Sequence, residues 1–453
     1  MTDAMEGLDR RALLRSAALA GTGALVGSAL APGLPFAAAQ SGDPAPDPID
    51  QTTGPQFFDD AAMNFGVLTA LGGIAGGTAE FGEMMSTIAR IQARGSTYPA
   101  YVEEFVQTAR VVADWADGAR RRGHRVTERE TSLRAAEYYA LALFFALAMP
   151  NPRRYELQMY RRSAAHFDRA MRLMDPPAER IRIPYGRTHM PGWFLRPPGR
   201  RRKRPTIIFN NGSDGQNSEL WAFGPLAALE RGYNVLLFYG PGQGEMLFVR
   251  KIYFRPDWEK VVTPVVDFVR ARDDVDRKRV AIWGWSFAGY LVPRALAFEH
   301  RLAAAVTDPG AINYVDSWPK EVLATAYDGT KAEVDAGWDA FLADSPKDLQ
   351  VTLLKRLEIF PTTSWYDAVR IMQTYNAKPV LHRITTPYLL TEPQLEQFYP
   401  GQSKLIYDGL THVKDKRLVN FTAKMGAQYH CEPMAPQRRN EVILDWLAGR
   451  IGG

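Results

Sequence analysis

At 453 residues and 46% hydrophobic composition, the chain can bury a large core, and its length suits two or three domains or one large domain with additions. Its 55 basic and 50 acidic residues leave a formal charge of +5, too even a balance to point to nucleic acid. Cys431 is the only cysteine, so an intramolecular disulfide is excluded and the core alone must stabilise the fold.

Residues 1–39 have the form of an export signal. Arg10-Arg11 precede a mildly apolar, Ala/Gly-rich stretch from Ser16 to Ala31, and Ala37-Ala38-Ala39 offers a small-residue cleavage site. The paired arginines point to the twin-arginine route and hence to a periplasmic or extracellular protein, the alternatives being an uncleaved anchor or an ordinary secretory signal. Elsewhere no segment approaches the ~20 apolar residues of a bilayer span, so no span is expected in the mature protein. Residues 40–55 are proline-rich and too polar to fold, and so read as a linker.

Residues 56–177 are expected to be a helical domain. From Tyr101 to Arg122 the apolar positions Val102, Phe105, Val106, Ala109, Val112 and Ala116 keep helical spacing, and Gly123 supplies the stop. Thr127 with Glu130 has the form of a capping box opening a second helix, which Pro150-Asn151-Pro152 closes. A third helix is expected over about Arg154–Met174. The domain is either purely structural, a cover for a site, or a dimer contact.

The pattern changes after Pro176-Pro177. Ile181 and Ile183, then Trp193 to Leu195, predict an antiparallel pair. Strands and helices then alternate: strand Thr206–Asn210, helix Ser218–Arg231, strand Asn234–Tyr239, helix Asp257–Arg272, strand Arg279–Trp283, helix from Phe287 to about Glu299, and strand Ala303–Thr307. Such alternation implies a parallel sheet covered by helices over residues 178–453. A helical, aromatic run at about 313–383, with Trp318, Tyr327, Trp338, Phe341, Trp365, Tyr366 and Tyr375, interrupts the alternation as a lid. Strands Tyr388–Thr391 and Leu418–Thr422 and a helix Pro436–Arg450 complete the chain. The basic run Arg200–Arg204 lies between two strands and reads as a solvated loop.

The stretch Val280 to Gly289 reads as a buried strand breaking sharply into a helix, with Ser286 at the tip. So tight a turn requires small residues two before and two after the serine, and Gly284 and Ala288 supply them. The alternative is a serine that merely caps the helix. A serine hydroxyl becomes a useful nucleophile only when a base takes its proton and a third group orients that base. In an α/β-hydrolase fold these groups follow in the order serine, acid, histidine. His430, just beyond the last strand, is the expected base, with His412 the alternative. Glu396 is the expected acid, with Glu392 and Asp308 as alternatives. The oxyanion donors are expected to be the Phe287 N–H and an N–H of the loop Asn210-Asn211-Gly212-Ser213-Asp214-Gly215, from Ser213 or Asp214. Gly240-Pro241-Gly242-Gln243-Gly244-Glu245 lacks the ending of a phosphate-binding loop and reads as a turn shaping the site, with Glu245 in polar contacts. No spacing of Cys, His or acidic residues argues for a metal, and no cofactor is expected. Cys431 reads as structural, since neighbours on an extended loop point apart.

Taken together, N-N-G-S-D-G, G-P-G-Q-G-E, G-W-S-F-A-G-Y-L-V-P-R-A, F-Y-P-G-Q and Y-H-C-E-P resemble the α/β-hydrolases related to 2,6-dihydroxypseudooxynicotine hydrolase and the fungal polyketide-shortening hydrolase of pigment synthesis, over about residues 60–450. The resemblance implies an N-terminal helical cap, homodimers, and hydrolysis of C–C bonds in aromatic ketones or polyketides, with Ser286 as nucleophile and His430 as base. Glu396 departs from the aspartate common in that family. The expected activity is hydrolysis of a small carbonyl compound with an apolar or aromatic body, either ester or ketone. An acyltransferase using the same three residues, or an inactive exported binding protein on the same fold, are the alternatives.

Overall fold

The computed structural model describes residues 54–452 except 316–322 and 324–328. The export signal, most of the linker, and Trp318 and Tyr327 of the expected lid lie outside the described residues.

The N-terminal region is built from helices α1 (Ala61–Gly72), α2 (Phe81–Ala93), α3 (Tyr98–Arg121), α4 (Arg125–Phe144) and α5 (Pro152–Arg172). Helix α1 starts where the Asp60 carboxylate accepts the N–H of Met63 at 2.8 Å, and α3 where Thr97 accepts from Ala100. The expected capping box at Thr127 is not formed. Gly123, at φ +74°, reverses the chain so abruptly that α4 begins at Arg125, and Thr127 lies inside its first turn. Glu128 of that turn instead takes the Arg169 guanidinium at 2.6 Å, tying α4 to α5.

Among the described residues, the sheet has eight strands in the order β1-β2-β4-β3-β5-β6-β7-β8. These are β1 (Glu179–Tyr185), β2 (Thr188–Leu195), β3 (Arg204–Asn210), β4 (Asn234–Phe238), β5 (Val275–Trp285), β6 (Ala304–Asp308), β7 (Tyr388–Pro393) and β8 (Lys416–Phe421). β2 is antiparallel to both β1 and β4, and the remaining pairs are parallel. The central strands are apolar on both faces because helices cover both, and β4 is buried throughout.

The crossover after β3 is two short helices, α6 (Asn217–Ala222) and α7 (Pro225–Glu230), where the sequence predicts one. Pro225 disfavours helix at the residue before it, and Gly224 at φ +149° packs so tightly that a Cβ would sit 2.7 Å from Phe209. Helices α8 (Gly244–Phe248), α9 (Glu259–Arg270) and α10 (Ala288–Leu296) follow the middle strands. The insertion between β6 and β7 carries α11 (Lys331–Asp344), α12 (Lys347–Leu357) and α13 (Trp365–Gln373), and α14 (Gln402–Gly409) and α15 (Pro436–Ile451) complete the fold. Trp338 and Trp365 stack at 4.4 Å, so these two expected lid aromatics form the insertion's own core. No helix among the described residues is long and apolar enough to cross a membrane.

Candidate active site

β5 passes into α10 through Trp285-Ser286-Phe287, and Ser286 takes φ +58°, a left-handed conformation that costs a non-glycine residue about 1–3 kcal/mol. The surroundings enforce it. The Ser286 N–H donates to the Asp308 carbonyl at 2.7 Å, and the Gly289 N–H to the Ser286 carbonyl at 2.7 Å. Gly284 and Gly289 must be glycine, since a Cβ would lie 2.7 Å from Val292 on the first and 2.1 Å from the Pro309 carbonyl oxygen on the second.

His430 reaches this tip from the loop after β8. Its Nε2 is 2.9 Å from Ser286 Oγ, and its Nδ1 is 2.7 and 2.9 Å from the two carboxylate oxygens of Glu396. Glu396 in turn accepts the N–H groups of Phe398 at 2.8 Å and Tyr399 at 3.0 Å. His430 and Glu396 are buried and Ser286 is half-buried, and Phe398 packs on the imidazole with ring centroids 4.5 Å apart. Such a series polarises a serine hydroxyl: the imidazole takes its proton, and the carboxylate fixes the tautomer and balances the resulting charge.

The other candidates lie elsewhere. His412 is exposed and bonds the His382 carbonyl. Glu392 accepts the Gly401 N–H at 3.1 Å. Asp308 accepts the Thr391 hydroxyl at 2.8 Å and faces Arg439 at 3.6 Å, in a buried group behind the elbow that also includes Glu432, whose carboxyl burial and Asp308 push well up. The Cys431 thiol donates to the Asp308 carbonyl at 3.2 Å, and burial raises it well above the usual thiol range, which makes it unreactive. The backbone there is not extended as the sequence suggests: Cys431 and Glu432 both have positive φ, at +59° and +46°.

The loop after β3 lies against the elbow. A Cβ on Gly212 would stand 2.7 Å from Ser286 Cβ and 3.1 Å from the Phe287 nitrogen, so glycine permits this approach. The Gly212 N–H is taken by Asn211 Oδ1 at 2.7 Å, whereas the N–H groups of Phe287 and Ser213 make no hydrogen bond within the described residues.

A model of the alpha/beta hydrolase family matches residues 207–429. Hydrolase LUC6 of a Fusarium species is 34% identical over 378 residues, covering 79% of this chain and 88% of the relative. 20-Hydroxy-prefusarin hydrolase FUS2 of Gibberella moniliformis is 30% identical, with the same coverage of 79% and 88%. The solved structure of 2,6-dihydroxy-pseudo-oxynicotine hydrolase matches with a TM-score of 0.63 at 20% identity, over 84% of this chain and 95% of that one. AbyA5 matches with a TM-score of 0.58 at 19% identity, over 87% and 95%. These two likenesses speak for the fold alone. The chain belongs to the alpha/beta hydrolase family.

In this alpha/beta hydrolase, a cleft opens above Ser286. Its roof comes from the N-terminal helices, through Phe65 of α1, Tyr101 of α3, and Leu141 and Phe144 of α4; its walls include Trp285, Phe398 and Tyr399. Three side chains that local sequence patterns do not single out organise its polar edge. Arg356 of α12 donates to Asp214 at 2.7 Å, where the Ser213 hydroxyl also donates at 2.7 Å. Burial alone would raise Asp214, yet Arg356 and Lys355 hold it below the usual carboxylate range. Gln243 donates to the carbonyls of Asn211 at 2.6 Å and Gly212 at 2.8 Å, so in the Gly-Pro-Gly-Gln-Gly-Glu turn it is the glutamine that supports the site. Glu245 pairs with Arg180 at 3.1 Å and with Arg250. Glu219 is the third of these side chains and faces the cleft. Among the described residues no group of three or more His, Cys, Asp or Glu could hold a metal ion.

Proposed function

We propose that the chain is a serine hydrolase that forms an acyl-enzyme on Ser286 and cleaves a carbonyl compound with an apolar or aromatic body, either an ester or a C–C bond of an aromatic ketone or polyketide. The observation that carries the reading is the hydrogen-bonded series from Ser286 Oγ through His430, at 2.9 Å and 2.7 Å, to Glu396. The hydroxyl loses its proton to His430 Nε2 as Oγ adds to the substrate carbonyl. The carbonyl oxygen becomes an oxyanion held by the N–H groups of Phe287 and of the 213–214 loop, whose donors are already oriented when charge develops. Collapse expels the leaving group with the proton from His430, and water repeats the sequence to release the acid. The apolar roof of α1, α3 and α4 suits a substrate with a hydrophobic body. The 20-hydroxy-prefusarin in the name of one relative favours a functionalised natural product over a simple lipid ester.

The test is intact mass after exposure to a fluorophosphonate. One adduct is expected on the wild-type protein, none on Ser286→Ala, and a much slower one on His430→Ala. An adduct persisting on a folded Ser286→Ala variant would overturn the assignment.

A further inference from the structure

Glu219 lies in α6, and its half-buried carboxyl lines the same cleft as Ser286. It makes no hydrogen bond or ion pair with any described residue. A Cβ on Gly215 would stand 3.1 Å from Glu219 Oε1, 3.1 Å from Asn211 Oδ1 and 3.2 Å from the Trp285 ring, so glycine at 215 lets these three groups converge on one part of the cleft wall. Behind it lies Glu137 of α4, only 1% exposed, with its Oε2 unpartnered and the Ser218 hydroxyl beside it. The Tyr101 hydroxyl, also unpartnered, closes the group from α3.

The charges around Glu219 are acidic. Burial first, then Glu137 and Asp214, push its carboxyl well above the usual range, and burial lifts Glu137 to about 7. The neighbouring cation, Arg356, is held by Asp214. A carboxyl kept protonated in the same cleft as the nucleophile has a hydrogen to donate, and an unpaired donor there favours a ligand that brings an oxygen to it.

Building on the Ser286 reading, we propose that Glu219 is a specificity-determining residue that donates a hydrogen bond to a second carbonyl oxygen of the substrate, directing the enzyme to 1,3-dicarbonyl compounds. After Ser286 Oγ adds to one carbonyl, the C–C bond to the α-carbon breaks. Its electron pair moves onto that carbon and delocalises to the second oxygen as an enolate, which the Glu219 hydrogen bond stabilises. The proton that His430 took from Ser286 then passes to the α-carbon, giving a ketone, and water releases the acid from Ser286. An ester leaves as an alkoxide and makes no use of Glu219.

The experiment compares an aryl 1,3-diketone with an aryl acetate on wild type, Glu219→Leu and Glu219→Gln, all checked for unchanged melting temperature. Loss of one such donor costs on the order of 10²–10³-fold, so Glu219→Leu should lose about that much kcat/KM on the diketone while keeping its esterase rate within about threefold. Glu219→Gln, which retains a neutral donor, should keep most of the diketone activity. Wild-type diketone turnover should fall as pH rises and Glu219 loses its proton, and Glu219→Gln should lack that alkaline limb. A parallel loss on both substrates, unimpaired diketone turnover by Glu219→Leu, or esterase activity with no diketone turnover by wild type would overturn the proposal. Failure of the underlying Ser286 reading is separately visible, as wild-type protein that takes no fluorophosphonate and turns over neither substrate.

Discussion

Glu396 holds His430 through both carboxylate oxygens and is itself held by two backbone N–H groups. Glu396→Gln keeps the shape but places an amide against Nδ1, which favours the wrong imidazole tautomer. The expected outcome is a fall in kcat on the order of 10⁴-fold with little change in KM, read by steady-state kinetics on an ester; a loss under tenfold would remove Glu396 from the proposed series. The residues of this series were legible because each rests on a local signal: small neighbours around Ser286, and chain order for His430 and Glu396. Glu219 and Arg356 were not. Their significance comes from partners or surfaces far away in sequence, Arg356 meeting Asp214 across 142 positions, and one chain read in order contains no pattern for that.

At the scale of elements, ion pairs tie α12 and the residue after it to the rest of the fold at two places. At one, Arg356 holds Asp214 on the loop beside Ser286, with both side chains largely buried at 13% and 18% exposure. Arg356→Met should destabilise the protein by about 3–5 kcal/mol, the usual cost of stranding one member of a buried pair, and should lower kcat by loosening the 213–214 loop. The double variant with Asp214→Asn should recover most of the stability, as chemical denaturation would show. At the other, Lys355 of α12 and Glu358 just past its end meet Arg153 and Glu156 of α5. Burial first, then Glu358, raises the Glu156 carboxyl to about 8. A value raised from the ordinary 4.5 means that the stability tied to the proton is fully present below about 4.5 and is lost progressively as pH climbs from there to about 8. The melting temperature should therefore drop across that range in wild type and drop less in Glu156→Gln; identical curves would show that the junction does not titrate. Elements with clear periodicity, such as α3, were predictable to within a few residues. α1 was not individually recognisable because Ala-Ala-Met-Asn-Phe-Gly-Val-Leu-Thr-Ala-Leu-Gly is apolar almost all round and shows no stripe, and α4 begins early because Gly123 turns the chain faster than the capping pattern suggests.

At the scale of the whole molecule, we propose that residues 1–39 direct export and that the mature chain is a homodimer. Exposed large apolar side chains recur on the N-terminal helices: Phe81 at 60%, Val126 at 58%, Trp115 at 49% and Val111 at 44%. Val111 and Trp115 are four apart on α3 and so share one face. Sedimentation velocity should find a dimer for the exported protein, with a mass lacking the signal, and Trp115→Glu should shift it toward monomer. A monomeric wild type, or a dimer indifferent to this change, would remove that face from consideration.

The cleft is assembled from two sources that meet only in the folded protein. The groups that would make and break bonds sit on short loops at one edge of the sheet, whereas much of the shape of the space above them comes from α1, α3 and α4, which the chain completes before its first strand. The space over the reacting groups is thus shaped jointly, by helices that come first in the sequence and by Glu219, Phe398 and Tyr399 that come later. A change in these helices would therefore alter the cleft and its chemistry together, because Phe65 of α1 lies with its ring centroid 6.1 Å from that of His430.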